Sequence, residues 1–296
     1  MEHWCDHPKG ASPLGYLAML RYESRGVWRD VAGAGALARA LIEAGAPVNG
    51  EPGEKETPLI TAASYGDAEV AQALITAGAD LEATAADDAG GVPGGTALLH
   101  AAVFGATDVL DVLVSAGARA HSIEEAAATG DISGWLRPDT PPQARVRALV
   151  MAADHQRLEA IDELLAAGTP IDANDEVWGR QALRVAAQNA RVASVEHLLA
   201  RSADPNVRDP QHQHTALEWS QRARESVTDG RAHDRVEAIL RAATALTRKH
   251  ACGASVVEAG VGECFVRPHS PGDDREHQSA ATPASVDHQP HRSSLP

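Results

Sequence analysis

Apolar and polar positions along this 296-residue chain recur with the period of a helix. Between residues 70 and 77 apolar side chains stand at i, i+3, i+4 and i+7, which predicts an amphipathic helix, and Gly78 suits the left-handed residue that ends one. A shorter apolar helix is predicted upstream, because Thr57 is a good N-cap and Pro58 is tolerated at the first helical position. This shorter helix closes with Ala62-Ala63, so the two segments predict a helix pair.

The same pair recurs along the chain. The phrase Leu-x-x-Ala-Gly-Ala, or a close variant, begins at Leu41, Leu74, Leu113, Leu164 and Leu198. From the second copy onwards, paired alanines end 15 residues before the glycine position, whereas successive copies are 33, 39, 51 and 34 residues apart. A fixed pair with variable connections indicates a solenoid, because each pair must bury its apolar face against the next.

These phrases resemble the ankyrin repeat, whose pattern runs Thr-Pro-Leu-His, Ala-Ala, Gly, Leu-Leu, Gly-Ala-Asp. The best matches are residues 57–80, 96–118 and 181–206, and the resemblance covers roughly residues 25–243. It implies an all-α ankyrin-repeat solenoid of about six stacked helix pairs with short β-hairpin-like fingers. Within that domain we expect degenerate caps and an irregular junction near residues 118–145.

The departures from the pattern carry their own predictions. The first unit lacks the Thr-Pro start, so we interpret a helix at about Tyr16 to Val31 as an N-terminal cap. Residues 124–131 look like the inner helix and turn of a truncated unit, so the superhelix is expected to be distorted there, dividing it into two halves. The last unit, from Thr215 to Ala243, is expected to be the C-terminal cap.

The predicted boundaries follow from these units. We expect a flexible N-terminus over residues 1–13, the repeat domain over 14–246, and a mostly disordered tail over 247–296. The tail past Pro268 is rich in Ser, Pro, His and Asp with almost no aliphatic residues, which is typical of disorder.

Composition and charge disfavour several classes of protein. A formal charge of −15 disfavours nucleic-acid binding, and no apolar run is long enough to span a membrane. The polar, acidic start of the chain does not resemble a signal peptide, and three cysteines cannot form a disulfide framework. We therefore expect a cytoplasmic and monomeric protein.

The resemblance implies which residues line the concave groove, namely the two that follow each pair of alanines. These candidates are Ser64, Tyr65, Val103, Phe104, Asp154, His155, Gln188 and Asn189. Aromatic residues are only 3% of the chain, yet Tyr65 and Phe104 occupy matching positions of adjacent units. Buried aromatic anchors often dominate interfaces, so we interpret the pair as partner contacts. The alternative is that both rings merely pack over a neighbouring helix end.

The predicted fingers are acidic. Asp80, Glu82, Asp87 and Asp88 stand without an evident cation, and Trp178 lies among acids on a later finger. Such a rim could be a solvated edge, or it could steer a basic partner towards the groove. We include Asp87, Asp88 and Trp178 among the candidate contacts.

Candidates for chemistry are weak. His100 falls at an inward slot and is interpreted as a core histidine, and no nucleophile, phosphate-loop or metal-helix motif occurs. Neither the group His3, Cys5 and His7 nor the pair Cys252 and Cys264 has typical metal-ligand spacing. We therefore predict no cofactor, no metal and no enzyme activity.

The sequence accordingly favours a protein-binding module acting as a scaffold, adaptor or inhibitor. One alternative is a regulatory or immunity-type subunit that captures a basic enzyme. Another is an unrecognised hydrolase that uses His100 or His155.

Overall fold

The computed structural model describes residues 12–21, 31–177, 179–227 and 229–258, and it describes side chains up to residue 247. The described residues up to Ala251 belong to one unit, and a second unit begins at Cys252. The helices of the described residues are α1 Pro13–Ala18, α2 Ala34–Glu43, α3 Pro58–Tyr65, α4 Ala68–Thr76, α5 Ala97–Val103, α6 Thr107–Ser115, α7 Ile123–Thr129, α8 Pro142–Asp154, α9 Leu158–Ala166, α10 Ala182–Gln188, α11 Val192–Ala200, α12 Ala216–Arg224 and α13 Arg231–Glu258.

In the described part of the chain these helices form six pairs, with α7 standing alone between the third and fourth pairs. The first helices of the pairs pack side by side, α3 against α1 and α5, and α10 against α8 and α12. The paired alanines are completely buried between them, because a methyl group allows two helices to approach closely. The predicted all-α solenoid of about six stacked helix pairs is confirmed.

Helix ends follow the sequence signals. The Thr57 hydroxyl accepts a hydrogen bond from the Ile60 amide at 3.2 Å, and Thr215 forms a capping box with Glu218. Gly78 has φ +86°, which is the left-handed conformation predicted for it. The fingers consist of turns, and within the described residues the one isolated β-bridge joins Thr84 to Thr96.

The predicted start of the first helix is wrong. Helix α1 begins at Pro13 and ends at Ala18, and the Ser12 hydroxyl caps it by accepting from the Gly15 amide at 3.2 Å. Ser12-Pro13 therefore serves as the start that Thr-Pro provides in other units. The predicted helix over 16–31 misplaced this start, and residues 22–30 lie outside the described part of the chain.

The truncated unit is present. Helix α7 is the inner helix predicted over 124–131, and Gly130 ends it with φ +103°. Residues 131–141 form turns where a second helix would stand, and the 13-residue helix α8 packs along α7. The missing helix is therefore replaced by irregular chain.

The last helix is longer than expected. Helix α13 continues without a break past the predicted domain end at residue 246 as far as Glu258. The residues beyond 258, for which disorder was predicted, lie outside the described part of the chain. Among the described helices none has the length and apolar character needed to cross a bilayer.

Candidate partner-binding groove

The ends of α3 and α5 face one open depression of about 240 Å³. Tyr65 from the second unit and Phe104 from the third both line it, as the sequence predicted for adjacent groove positions. Its other lining residues are Arg21, Ser64, Gly66, Gly105, Ala106, Thr107, Asp108 and Arg191. The depression therefore offers two aromatic rings bordered by charged side chains.

The exposed ring of Phe104 packs against the buried ring of His100. Phe104 is 47% exposed, and its ring centroid lies 6.0 Å from that of the buried His100. The Val92 carbonyl can only accept a hydrogen bond, so His100 Nε2 carries a proton and donates to it at 3.0 Å. His100 Nδ1 lies 2.8 Å from the Ser64 hydroxyl. Burial is the main cause that lowers the pKa of His100, so the neutral ring acts as a fixed support.

The structure corrects three of the candidate contacts. Val103, Asp154 and His155 are only 7%, 3% and 1% exposed, so their side chains do not line an open groove. The side chain of His155, at the end of α8, reaches the Ala102 carbonyl at the end of α5 and the Thr107 hydroxyl at the start of α6. These residues belong to the interior of the junction.

Asp154 organises part of that interior. Its Oδ1 accepts hydrogen bonds from Asn189 Nδ2 at 2.7 Å and from Arg191 Nε at 3.3 Å. Asn189 is itself exposed and Gln188 is half-buried, so these two candidates stay at the surface. The buried carboxylate is thus paired, as a charge removed from water must be.

Three side chains from the second half of the chain donate to backbone carbonyls at the end of α5. His155 Nε2 donates to Ala102 at 2.9 Å, Arg180 Nη1 to Val103 at 3.2 Å, and Arg191 Nη2 to Gly105 at 2.5 Å. The last carbonyls of a helix carry partial negative charge, and a cation placed there typically contributes about 0.3–1 kcal/mol. We call this set of three donors the junction cap.

Sequence reasoning missed the two arginines of the junction cap. Arg191 is 86 residues from Gly105 and Arg180 is 77 residues from Val103, so no local spacing connects either pair. One signal was available at the turn after the paired alanines. Four residues after the second alanine, the two units of the second half have Arg157 and Arg191. The two regular units of the first half have Asp67 and Ala106 at this position.

Two of the finger carboxylates that the sequence analysis left without a cation have a basic partner in the structure. The Lys55 ammonium lies 2.8 Å from the Asp88 carboxylate, and His121 Nε2 lies 2.7 Å from Glu82. Asp87 is exposed, as expected for a contact residue, whereas Trp178 lies outside the described residues. Asp175, on the same finger as Trp178, is buried and accepts from the Arg180 amide at 2.7 Å.

Formal charge is distributed unevenly along the repeats. Residues 31–118 contain 12 Asp or Glu against 2 Lys or Arg, whereas residues 142–251 contain 15 of each. The excess negative charge of the repeat domain therefore belongs to the first half, which also supplies Tyr65 and Phe104.

The buried histidines are poorly placed for hydrolysis. Both ring nitrogens of His100 and of His155 lie within hydrogen-bond distance of Ser64, Thr107 or a backbone carbonyl. Both imidazoles are buried, and they connect different units, His100 with Ser64 of the preceding unit and His155 with the ends of α5 and α6. Among the described residues no cluster of three or more His, Cys, Asp or Glu side chains could hold a metal ion.

Two family models agree with this architecture. The family model for ankyrin repeats in three copies matches residues 31–123, and the model for a single ankyrin repeat matches residues 178–210. Among solved structures, the chain is similar to the human ASB11 ankyrin repeat domain, with 21% identity and a TM-score of 0.37. That alignment covers 77% of this chain and 97% of the ASB11 domain. No curated protein matches the chain.

Proposed function

Because the chain is an ankyrin-repeat protein, we propose that it binds a protein partner at the depression lined by Tyr65 and Phe104. Ankyrin repeats generally mediate protein–protein interaction. The proposal places this activity in the first half of the chain and assigns it the role of a scaffold, adaptor or inhibitor. It includes a monomeric, cytoplasmic protein that needs no nucleic acid or membrane for this task.

The observation that carries the proposal is Phe104, a large aromatic side chain that is 47% exposed beside the buried ring of His100. An aromatic side chain has only two χ angles, so Phe104 loses little conformational freedom when a partner covers it. Aromatic anchors of this kind each contribute roughly 2 kcal/mol or more when an interface buries them. Tyr65 adds a second ring with a hydroxyl group to the same depression.

Charge favours a basic partner. The twelve acids of residues 31–118 are opposed by only two basic residues, and Asp87 is exposed on a finger of this half. A field of this sign raises the association rate of a cationic partner and weakens as salt increases. The acidic fingers would thus attract a basic partner, and Tyr65 and Phe104 would bind it in the depression.

The test is affinity capture from the native source with purified wild-type chain and with Tyr65→Ala/Phe104→Ala. We expect recovery of the partner to fall at least about tenfold in the double variant, because two anchors are lost. Tyr16→Ala is the matched control, since Tyr16 is 44% exposed and does not line the depression. Unchanged recovery with a normally folded double variant would contradict the proposal.

The charge distribution also supports a second candidate, an immunity-type or regulatory subunit that captures a basic enzyme. An inhibitor would form a complex of fixed stoichiometry and abolish the activity of the captured enzyme. An adaptor would leave that activity unchanged while binding a further protein. Titration of the captured protein with this chain separates the two roles.

A further inference from the structure

The junction cap joins units that are not neighbours along the chain. His155, Arg180 and Arg191 lie 53, 77 and 86 residues from the carbonyls that they bond. In a solenoid each repeat normally contacts only the repeats next to it. The cap therefore provides long-range contacts at the place where the regular stacking is interrupted.

The interruption lies in the truncated unit. Helix α7 has no partner helix, so the second helices of the flanking pairs, α6 and α9, have no full helix between them. Arg157 covers part of this gap, because its guanidinium pairs with Asp111 of α6 and its Nε donates to the Ala128 carbonyl at 2.8 Å. Side-chain bonds and the buried Ile132 of the irregular chain thus stand where the regular units have a packed second helix.

One member of the cap is also a wall of the depression. Arg191 lines the same cavity as Tyr65 and Phe104, and its Nη2 donates to Gly105, which follows Phe104 in the chain. Arg191 comes from the second half, whereas both aromatic rings come from the first half. The lining of the depression is therefore drawn from both halves of the chain.

We propose that the truncated unit is a hinge whose closure by the junction cap completes the partner-binding depression. This inference rests on the proposed function for its consequence: a partner seated in the depression contacts both halves and thereby favours the closed state. Binding and closure are then linked in both directions, so whatever loosens the cap weakens the partner's binding.

The test uses the full chain without any partner and measures hydrogen–deuterium exchange by mass spectrometry. Arg191→Met removes the bonds to Gly105 and Asp154, and Arg180→Met removes the bond to Val103 without leaving Asp154 short of a donor. We expect peptides over residues 97–110 and 147–160 to exchange about fivefold faster in both variants. Peptides over residues 58–76, in the second unit, should keep their wild-type rates.

Arg201→Met is the matched control, because Arg201 Nη2 bonds Asp162 at 2.7 Å between two regular neighbouring units. Its effect should stay within residues 158–202. Unchanged exchange over 97–110 in both cap variants, or faster exchange of that segment in Arg201→Met as well, would overturn the hinge. Equal acceleration of every unit would also overturn it, since that result means general destabilisation. No partner is present in this measurement, so its failure leaves the proposed function standing, and a failed capture experiment leaves the hinge standing.

Discussion

The imidazole of His155 donates to the carbonyl of Ala102 at 2.9 Å across a sequence separation of 53 residues. On the other side of the ring, Nδ1 lies 3.0 Å from the Thr107 hydroxyl. One buried side chain at the C-cap of α8 thus provides a hydrogen-bond partner for a carbonyl at the end of α5 and for the hydroxyl of the first residue of α6. This arrangement bypasses the truncated unit.

Replacing His155 tests how much the junction depends on this ring. His155→Leu leaves the buried Ala102 carbonyl without its partner and removes the partner of the half-buried Thr107 hydroxyl, so we expect the free energy of unfolding to fall by about 1–3 kcal/mol. Urea unfolding at pH 7.5 measures the change. His197→Leu is the control, because His197 bonds Asp162 at 2.9 Å near the surface and its loss should cost less than about 1 kcal/mol. Equal losses in the two variants would contradict the special position of His155.

Stability should depend on pH through three histidines. Burial is the leading cause that lowers the pKa values of His100, His155 and His233 below 6.5. At pH values between the lowered pKa values and 6.5, the folded chain therefore binds fewer protons than the unfolded chain. The contribution of these neutral histidines to the free energy of unfolding is fully present above pH 6.5. It is lost as the pH falls from 6.5 through the folded pKa values.

We accordingly expect the free energy of unfolding to be smaller at pH 5.5 than at pH 7.5. The double variant His100→Gln/His155→Gln removes two of the three groups, so it should show a shallower dependence. Urea titrations of both proteins at the two pH values measure the difference. A double variant with the full wild-type slope would show that other groups are responsible.

The left-handed residue after the second helix of each pair offers a reciprocal experiment. Gly78 has φ +86°, and a Cβ atom at this position would meet no other atom within 4 Å, whereas Ser202 adopts φ +70° at the corresponding place. Left-handed backbone costs an L-residue roughly 1 kcal/mol, which glycine avoids. Ser202→Gly should therefore raise the midpoint of thermal unfolding, and Gly78→Ser should lower it. Shifts of the same sign would contradict the backbone explanation.

Asp209 should be the most sensitive carboxylate of the last finger. Its oxygens accept from the amides of His212 at 2.7 Å and His214 at 2.9 Å and from Trp219 Nε1 at 2.9 Å. Burial alone would raise the pKa of Asp209, but these donors together with the Gln211 amide hold it far below its ordinary value. Asp209→Asn replaces one acceptor oxygen by an NH₂ group facing other donors, so we expect a loss of about 2–3 kcal/mol in urea unfolding.

The control for this substitution is Asp204→Asn. Asp204 is exposed, and its Oδ1 accepts from the Asn206 amide at 2.9 Å, a role that an Asn oxygen can also fill. A loss below about 0.5 kcal/mol is expected for this variant. In a two-dimensional NMR spectrum the indole N–H signal of Trp219 should shift in Asp209→Asn and stay unchanged in the control.

The regular units could be predicted because their signals are local. Thr57 as a cap, Ala62-Ala63 in the packed face and Gly78 as the terminating residue each act within a few residues of the chain. The start of α1 was missed although Ser12-Pro13 has the same chemistry as Thr-Pro. Such signals decide where helices begin and end, and the stacking follows from the faces that they expose.

The candidate site was predictable only in its aromatic part. Tyr65 and Phe104 belong to adjacent regular units, so the repeat pattern brings them together. Asp154 and His155 occupy equivalent positions in the sequence, yet the truncated unit turns them into interior groups. The contact of Arg191 with Gly105 depends on how all intervening units stack, which no local pattern encodes.

The absent second helix beside α7 has a consequence for how the chain acquires its structure. Repeat arrays nucleate in one place and propagate from neighbour to neighbour, and propagation needs apolar contact between successive units. At the irregular chain over residues 131–141 this contact is reduced to helix α7 and the buried Ile132, so we expect each half to nucleate on its own. The bonds to Ala102, Val103 and Gly105 close loops of 53 to 86 residues, so we expect these contacts to form after each half has folded.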